Sequence, residues 1–332
     1  MPVVRQRLRL GLVFLASVTI TLGGTSCEQS VADRRPLRIA TSPWPGFDIA
    51  HYGEAEKLFA SRGVAVEFIR LEHQSDAVRA ISRGRADAAF ASISDIVSMP
   101  AESDPVAILL VTNVSAGSDG IVVRAGIDSL DQLRGQRVAA KIGSVNQLIL
   151  YEALDWKGVP TGAVDIVDVT NEVGYRKFLD GEVDAAVLWE PQLSEAAGRS
   201  GGRVLFRTSD IESSVIDALI APQESVAAHR AAFAQFTAGW LDVMHAVETR
   251  PEVVYRTVAS RLGQSAGSFA RDYAGLRRGD RDLNRRLIQE RELNLRLPKI
   301  RSLLDRTPES SPTILIEAES MGRVIQNWTP RQ

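Results

Sequence analysis

The sequence predicts an α/β fold of two similar lobes with mixed, mostly parallel sheets and a hinge between them. A short motif occurs twice, Gly84-x-x-Asp87-Ala88-Ala89 and Gly181-x-x-Asp184-Ala185-Ala186, its aspartates 97 residues apart. Both copies are flanked by segments that read β-α-β-α-β at nearly constant offset, which implies parallel strands joined by right-handed crossovers. A length of 332 residues suits two domains. The alternative is one large sheet carrying a chance similarity.

The first unit consists of a strand at 37–40, a helical stretch at 48–61, a strand at 64–71, a helix from Ser75 and a strand at 86–91. Gly84 closes the helix, because glycine takes up the left-handed conformation at a helix end without steric cost. After Pro105 an apolar strand at 106–111 runs into a polar loop at 112–119, and residues 120–123 read as a strand crossing into the second lobe. Ser129 caps a short helix that ends at Gly135. The second unit follows, with a strand at 137–140, a helix at 145–157, a strand at 164–169, a helix from about Asn171 and the strand after Asp184. Beyond Trp189-Glu190-Pro191 come a helix to about Gly198 and strands at 204–207 and 216–220, the latter the return crossing. From Ser225 the chain reads as helical to its end. There Phe233, Phe236, Trp240, Val243 and Val247 recur every three or four residues, marking one core face. Residues 271–301 interleave arginines with Asp272, Asp280, Asp282, Glu290 and Glu292, the pattern of solvated helix faces with paired charges.

The first part of the chain has the layout of a secretory signal. Arg5, Arg7 and Arg9 precede an apolar run at 10–22, and Gly23-Gly24-Thr25-Ser26 supplies small residues before Cys27. The run is shorter than the roughly 20 apolar residues of a membrane-spanning helix. Cys27 is the only cysteine, so no disulfide forms within the chain, and in an exported protein a single cysteine calls for a task. Its position resembles a bacterial lipobox, in which the cysteine is acylated and becomes the new N-terminus. Gly24 departs from that pattern, where Leu or Val is usual, and cleavage after Ser26 or Ala32 is the alternative. The expected division is a signal at 1–26, a tether at 27–36, one lobe from 37–118 with 218–332, and the other from 119–217. A formal net charge of −2 argues against nucleic acid as partner, since phosphate binding needs a basic surface.

Taken together, Thr41-Ser42-Pro43-Trp44-Pro45-Gly46, the repeated motif, Ser115-x-Gly117-x-Asp119 and Trp189-Glu190-Pro191 resemble the nitrate/sulfonate/taurine-type solute-binding proteins of bacterial ABC importers. The resemblance runs from Leu37 to the C-terminal helices. It implies the type II periplasmic-binding-protein fold, a small-molecule solute, and delivery by cleft closure to a permease driven by a separate ATPase subunit. It implies a monomer in the periplasm or cell envelope, held to a membrane through Cys27, with no cofactor and no metal.

In open α/β sheets ligands bind beyond the carboxyl ends of the strands, so four loops are expected to face the cleft. Ser42, Trp44 and Pro45 give a rigid aromatic wall; alternatively Trp44 packs its own helix. Ser92 and Ser94 follow a strand and are equally suited to N-capping. Asn113 and Asp119 bound the third loop. Gly143 and Ser144 open a helix near Lys141, offering free N–H groups to an oxyanion, or a plain cap. Trp189 and Glu190 follow the strand of the second copy. A carboxylate in a closing cleft needs a partner, because desolvating it alone costs several kcal/mol; the partner is a protein arginine or a cationic group of the ligand. Asp119 and Asp217, near the two crossings, raise the same question. The carboxylates favour an amine, Gly143-Ser144 an anion, and a zwitterion would satisfy both. Hinge residues bonded to backbone explain the aspartates equally well.

Two rival classes remain. One is an enzyme on the same fold, of pyrimidine-precursor synthase or dehydratase type. Against it, His51, His73, His229 and His245 have no metal-ligand spacing, and no nucleophile elbow or phosphate loop occurs. The other is a solute sensor domain.

Overall fold

The computed structural model describes residues 35–331 together with Met1 and Pro2. The expected leader, Cys27 and nearly all of the tether lie outside the described residues. No helix among the described residues is long and apolar enough to cross a membrane.

The described residues contain twelve strands, in the order β1 Leu37–Thr41, β2 Val66–Arg70, β3 Ala88–Ser92, β4 Val106–Ser115, β5 Asp119–Val123, β6 Arg137–Ala140, β7 Asp165–Asp168, β8 Ala185–Trp189, β9 Arg203–Arg207, β10 Ile216–Pro222, β11 Leu276–Arg278 and β12 Ile314–Ile316. They form two sheets. The first has the order β2-β1-β3-β10-β4-β11, with β12 also pairing β4; the second has the order β7-β6-β8-β5-β9. The two sheets share one plan. Three parallel strands of a unit stand side by side, then comes a strand that has crossed from the other sheet (β10 or β5), then the strand that follows the unit (β4) or precedes the return (β9). The chain passes between sheets twice, at residues 115–119 and 207–216.

The repeated motif has the same task in both sheets. Gly84 (φ 65°) and Gly181 (φ 84°) take left-handed backbone at the helix ends, where a side chain would be strained. Three residues on, Asp87 accepts from the backbone N–H of Arg38 at 2.9 Å, and Asp184 accepts from the backbone N–H of Arg137, also at 2.9 Å. Each aspartate therefore ties the third strand of its unit to the first. Asp87 is further held by Arg35 at 2.6 Å and Arg38 at 2.9 Å.

The core of the first lobe is aromatic. Phe47 stacks on Phe90 with ring centroids 5.3 Å apart, Phe59 stacks on Phe236 at 4.7 Å, and Trp240 closes on Phe90 at 5.8 Å. Phe236 and Trp240 come from the helix Arg230–Thr249, whose residues Phe233, Phe236, Trp240, Val243 and Val247 are all buried. The C-terminal region thus packs on the first sheet.

The structure departs from the sequence expectations at four places. Parallel and antiparallel pairings occur in equal number in the first sheet and again in the second, because every crossing strand enters antiparallel to its neighbours; the sheets are mixed, not mostly parallel. The stretch at 48–61 is broken into three short helices, Pro45–Asp48, Ala50–Ala55 and Leu58–Ser61, the last preceded by Lys57 at φ 57°. β4 continues through Asn113 to Ser115, where a loop is expected, because β10 and β11 pair with it there. The region after Ser225 is not wholly helical: β11 and β12 add strands of three residues each to β4.

Candidate binding cleft

The two crossings deliver two aspartates to equivalent places. Since β10 runs antiparallel to β3, its start lies beside the carboxyl end of that strand. Asp217 therefore pairs with Ser92, the last residue of β3, on one side and with Asn113 on the other. In the second sheet Asp119 opens β5 and pairs with Trp189, the last residue of β8. All are buried except Trp189, which is half-buried.

Trp44 follows β1 as the N-cap of the short helix that Pro45 opens, a position proline suits because its missing N–H would be unpaired there anyway. Ser42, Trp44 and Pro45 are buried. The Trp44 indole meets that of Trp189 from the other lobe, with centroids 6.4 Å apart and planes at 77°, the edge-to-face arrangement favoured by ring quadrupoles. The Trp44 ring nitrogen lies close to the Asn113 side chain over Gly46, where a β-carbon would stand 2.7 Å from Trp44 Nε1 and 2.2 Å from Asn113 Nδ2.

Ser92 and Ser94 are fully buried, and Ser92 caps the helix Ile93–Val97 in a capping box completed by Asp95. Their hydroxyl oxygens are 2.9 Å apart. Asp95 also accepts from the Gln74 side-chain amide, and it lines a cavity together with Ser144 and Val145 of the other lobe. Val145 is the first residue of the helix Val145–Trp156, so a carboxylate of one lobe stands at the same cavity as the positive end of a helix in the other.

At the expected oxyanion seat the Gly143 N–H and the Ser144 hydroxyl are engaged within the protein. Gly143 N–H donates to Gln147 Oε1 at 2.7 Å. Ser144 Oγ accepts from Asn146 N–H at 3.2 Å and donates to the Lys141 carbonyl at 2.9 Å. Lys141 Nζ lies 2.9 Å from Asp168.

Glu190 has a protein partner. Its carboxylate accepts from Arg207 at 3.0 Å and from the Ser194 hydroxyl and N–H at 2.6 and 3.0 Å. It caps the helix Gln192–Ser200 and anchors Arg207, which also donates to the carbonyl of Gly117 in the first crossing at 2.6 Å.

The remaining carboxylates are less well matched. Burial raises Asp119 to about 7, the Ser115 hydroxyl pulling the other way and the charge of Glu190 adding to the rise. Burial also raises Asp95 to about 6 against its three neutral donors. Asp217 is pushed well up by burial and then by the charges of Asp119 and Asp95, with Asn113 and Trp44 opposing. Asp119 Oδ2, Asn113 Oδ1 and Trp44 Nε1 have no hydrogen-bond partner among the described residues.

Between the lobes lies a narrow open cavity of about 30 Å³ bounded by His73, Gln74, Asp95, Ser144, Asn171 and Trp189, among others. His73 Nδ1 meets Glu172 Oε2 at 3.0 Å across it. Asp95, His73, Gln74, Asn171 and Glu172 are not among the cleft residues expected from the sequence. Two signals point to them: the Ser92-x-x-Asp95 spacing of a capping box, and the 97-residue offset, which maps His73 and Gln74 onto Thr170 and Asn171.

Comparison with known proteins places this geometry. A model of the family described as NMT1/THI5 like matches residues 47–252. The taurine-binding periplasmic protein of Escherichia coli K12 is 22% identical over 282 residues, spanning 83% of each chain. Among solved structures, the alkanesulfonate-binding protein SsuA from Xanthomonas axonopodis pv. citri bound to MOPS superposes with a TM-score of 0.67 at 16% identity, covering 86% of this chain and 97% of that one. The periplasmic nitrate-binding protein NrtA from Synechocystis PCC 6803 superposes with a TM-score of 0.65 at 10% identity, covering 88% of each. These likenesses show the two-lobed fold.

Proposed function

The chain belongs to the NMT1/THI5-like family, and from that membership and the cleft we propose that it is the solute-binding subunit of an ABC importer. It captures a small organic solute outside the cytoplasm and presents it to a membrane permease driven by a separate ATPase. The observation that carries this reading is the meeting of Trp44 and Trp189, one indole from each lobe, across the cleft. A solute of about seven non-hydrogen atoms gains at most about 10 kcal/mol, near 1.5 per atom. Micromolar affinity takes about 8 of these, so enclosure has to be nearly complete, and two closing lobes provide it.

The lobes are residues 37–118 with 218–332, and 119–217, turning about the crossings. The protein acts as a monomer and is not an enzyme. The named relatives bind taurine and sulfonates, and His73, which lines the cavity, faces the Glu172 carboxylate. Ser92 faces Ser94 and Asp95, an arrangement that serves capping. The leader directs the chain to the periplasm, where Cys27 carries a lipid anchor.

The test is a thermal-shift screen of the mature protein against sulfonates, nitrate, amines, zwitterions and pyrimidines, followed by small-angle scattering. A bound solute raises the melting temperature by mass action and makes the particle more compact. Turnover of one of these compounds, or an unchanged scattering curve with the binding compound, would overturn the reading. Cys27→Ala is expected to release the protein from the membrane fraction.

A further inference from the structure

We propose that residues 272–299, which belong to the first lobe, brace the hinge: they grip both crossings and hold the two lobes in their approached arrangement. This goes beyond solute capture and concerns what sets the resting position of the cleft.

A hinge turns by changing backbone angles in a few residues, so groups bonded to those residues bias which arrangement is populated. The first crossing is bonded from both lobes. On the side of the first lobe, the Gly275 carbonyl accepts from the N–H groups of Ala116 at 2.8 Å and Ser118 at 3.3 Å, and the Ser118 hydroxyl donates to the Asp272 carbonyl at 2.9 Å. On the side of the second lobe, the Ser118 carbonyl accepts from Glu190 N–H at 2.9 Å. Thr208 ties this crossing to the return one. Its buried hydroxyl oxygen accepts from Gly117 N–H at 2.8 Å and lies 2.7 Å from Ser115 Oγ. The fit at Gly275 is tight: a β-carbon there would stand 2.5 Å from Ser118 Oγ, 2.6 Å from Ser118 N and 2.8 Å from the Gly117 carbonyl carbon. Gly275 has φ −81°, a value open to any residue, so the closeness of the crossing is what requires glycine.

The return crossing is held by a later helix of the same segment, Glu292–Leu303. Arg296 reaches Glu212 at 2.7 Å. Lys299 Nζ stands 3.8 Å from the buried carboxylate of Glu152, on the helix Val145–Trp156 of the second lobe. Glu152 in turn accepts from the Ser213 hydroxyl at 2.8 Å and from Ser214 N–H at 2.7 Å. Opening the lobes draws the Lys299 charge away from a carboxylate with little water to replace it. The Lys299 side chain is 54% exposed, so solvent screens that attraction, and the grip at Gly275 is the stronger of the two.

The experiment is a pulsed electron-spin distance measurement on the mature protein free of solute, in a Cys27→Ala background with spin labels at Glu67→Cys and Asp165→Cys. These exposed residues lie on β2 and β7, the outer strands of the two sheets. Those strands lead toward His73 and Glu172, so the separation of the labels follows the cleft. The parent is expected to favour the short separation. Gly275→Ala is expected to lower the ratio of short to long separations about three-fold or more, and Lys299→Met about 1.5-fold. Gly267→Ala adds the same methyl to the helix that Gly275 ends, where the nearest neighbouring side-chain atom is 3.7 Å away, and is expected to change nothing. Circular dichroism checks that each variant folds, and Lys299→Met decides alone if Gly275→Ala does not. An unchanged ratio in Lys299→Met and in a folded Gly275→Ala, an equal loss in Gly267→Ala, or a parent found only at the long separation would overturn the inference. Each would leave the solute-binding reading intact, because no solute enters the measurement.

Discussion

His73 Nδ1 stands 3.0 Å from Glu172 Oε2, the two residues opening helices in opposite lobes. Both side chains are about a quarter exposed, so the bridge is screened, and a pair of this kind contributes about 0.2–1 kcal/mol. Its place matters more than its strength, because it forms only when the lobes approach. Glu172→Gln is expected to leave the melting temperature of the protein within a degree or two and to weaken solute binding two- to five-fold through faster release. Stopped-flow dissociation and scattering of the unliganded variant check this; a large loss of stability with unchanged release would assign the pair to folding instead.

The buried carboxylates set the pH dependence of stability. Asp119 lies at about 7, Asp95 and Asp272 at about 6, and Asp48 at about 6, in every case with burial as the first cause. Their folded values exceed those of an unfolded chain, so the folded protein binds more protons between about pH 4 and 7. Stability from these groups is full below pH 4 and is lost as pH rises toward 7. Asp87 acts the other way: despite its burial, Arg35 and Arg38 hold it below the usual carboxylate range, and its contribution fades only in stronger acid. The unliganded protein is expected to melt at progressively lower temperature from pH 4.5 to 7.5. Asp217→Asn is expected to flatten that slope and to raise the melting temperature at pH 7.5 by a few degrees. A melting temperature that instead climbs through this range would show that the carboxylates are not strained.

What the sequence carries locally was legible in it. Gly84 and Gly181 with their aspartates mark the helix ends and the third strands because left-handed backbone and a short acceptor are local needs. The tryptophans are legible for a similar reason, each standing directly after a strand end. The pairing of Glu190 with Arg207 is another matter, since it depends on β5 pairing antiparallel with both β8 and β9, which aligns their carboxyl ends. Asp95 shows the same limit. Its capping spacing is local, but its place at one cavity with Val145 exists only because two helix starts from different lobes meet. The strands Leu276–Arg278 and Ile314–Ile316 are three residues long and owe their form to the edge of β4, so helical periodicity around them hides them.

Gly46 allows Trp44 and Asn113 to come together. A β-carbon there would overlap Asn113 Nδ2 at 2.2 Å and Trp44 Nε1 at 2.7 Å, so alanine forces one or both to turn away. Gly46→Ala is expected to lower solute affinity at least ten-fold, and to cost stability by about 1–3 kcal/mol, the usual range for overpacking. Trp44→Phe, which removes the indole N–H but keeps an aromatic ring, serves as the comparison. If Gly46→Ala binds solute normally, the packing of Trp44 on Asn113 is not part of the site.

Asp87 and Asp184 test whether the repeat is a structural device or a coincidence of letters. Each accepts a backbone N–H from the first strand of its own unit, and each returns its own N–H to the carbonyl of the same residue, Asp87 to Arg38 at 2.8 Å and Asp184 to Arg137 at 2.9 Å. Replacing the carboxylate by an amide keeps the shape but weakens the acceptor, and a bond to a charged group contributes about 1.5–3 kcal/mol. Asp87 also holds two arginines that are a third or more exposed, which solvent screens, so they add little to the backbone bond. Asp87→Asn and Asp184→Asn are therefore expected to destabilise by similar amounts, about 1–3 kcal/mol each in urea unfolding. The substitutions lie in different sheets with separate partners, so their effects should add in the double variant. Solute affinity should stay within two-fold in each, because neither residue reaches the cleft. A loss confined to Asp87→Asn would trace the effect to its arginines and remove the argument that both halves are closed by one shared bond.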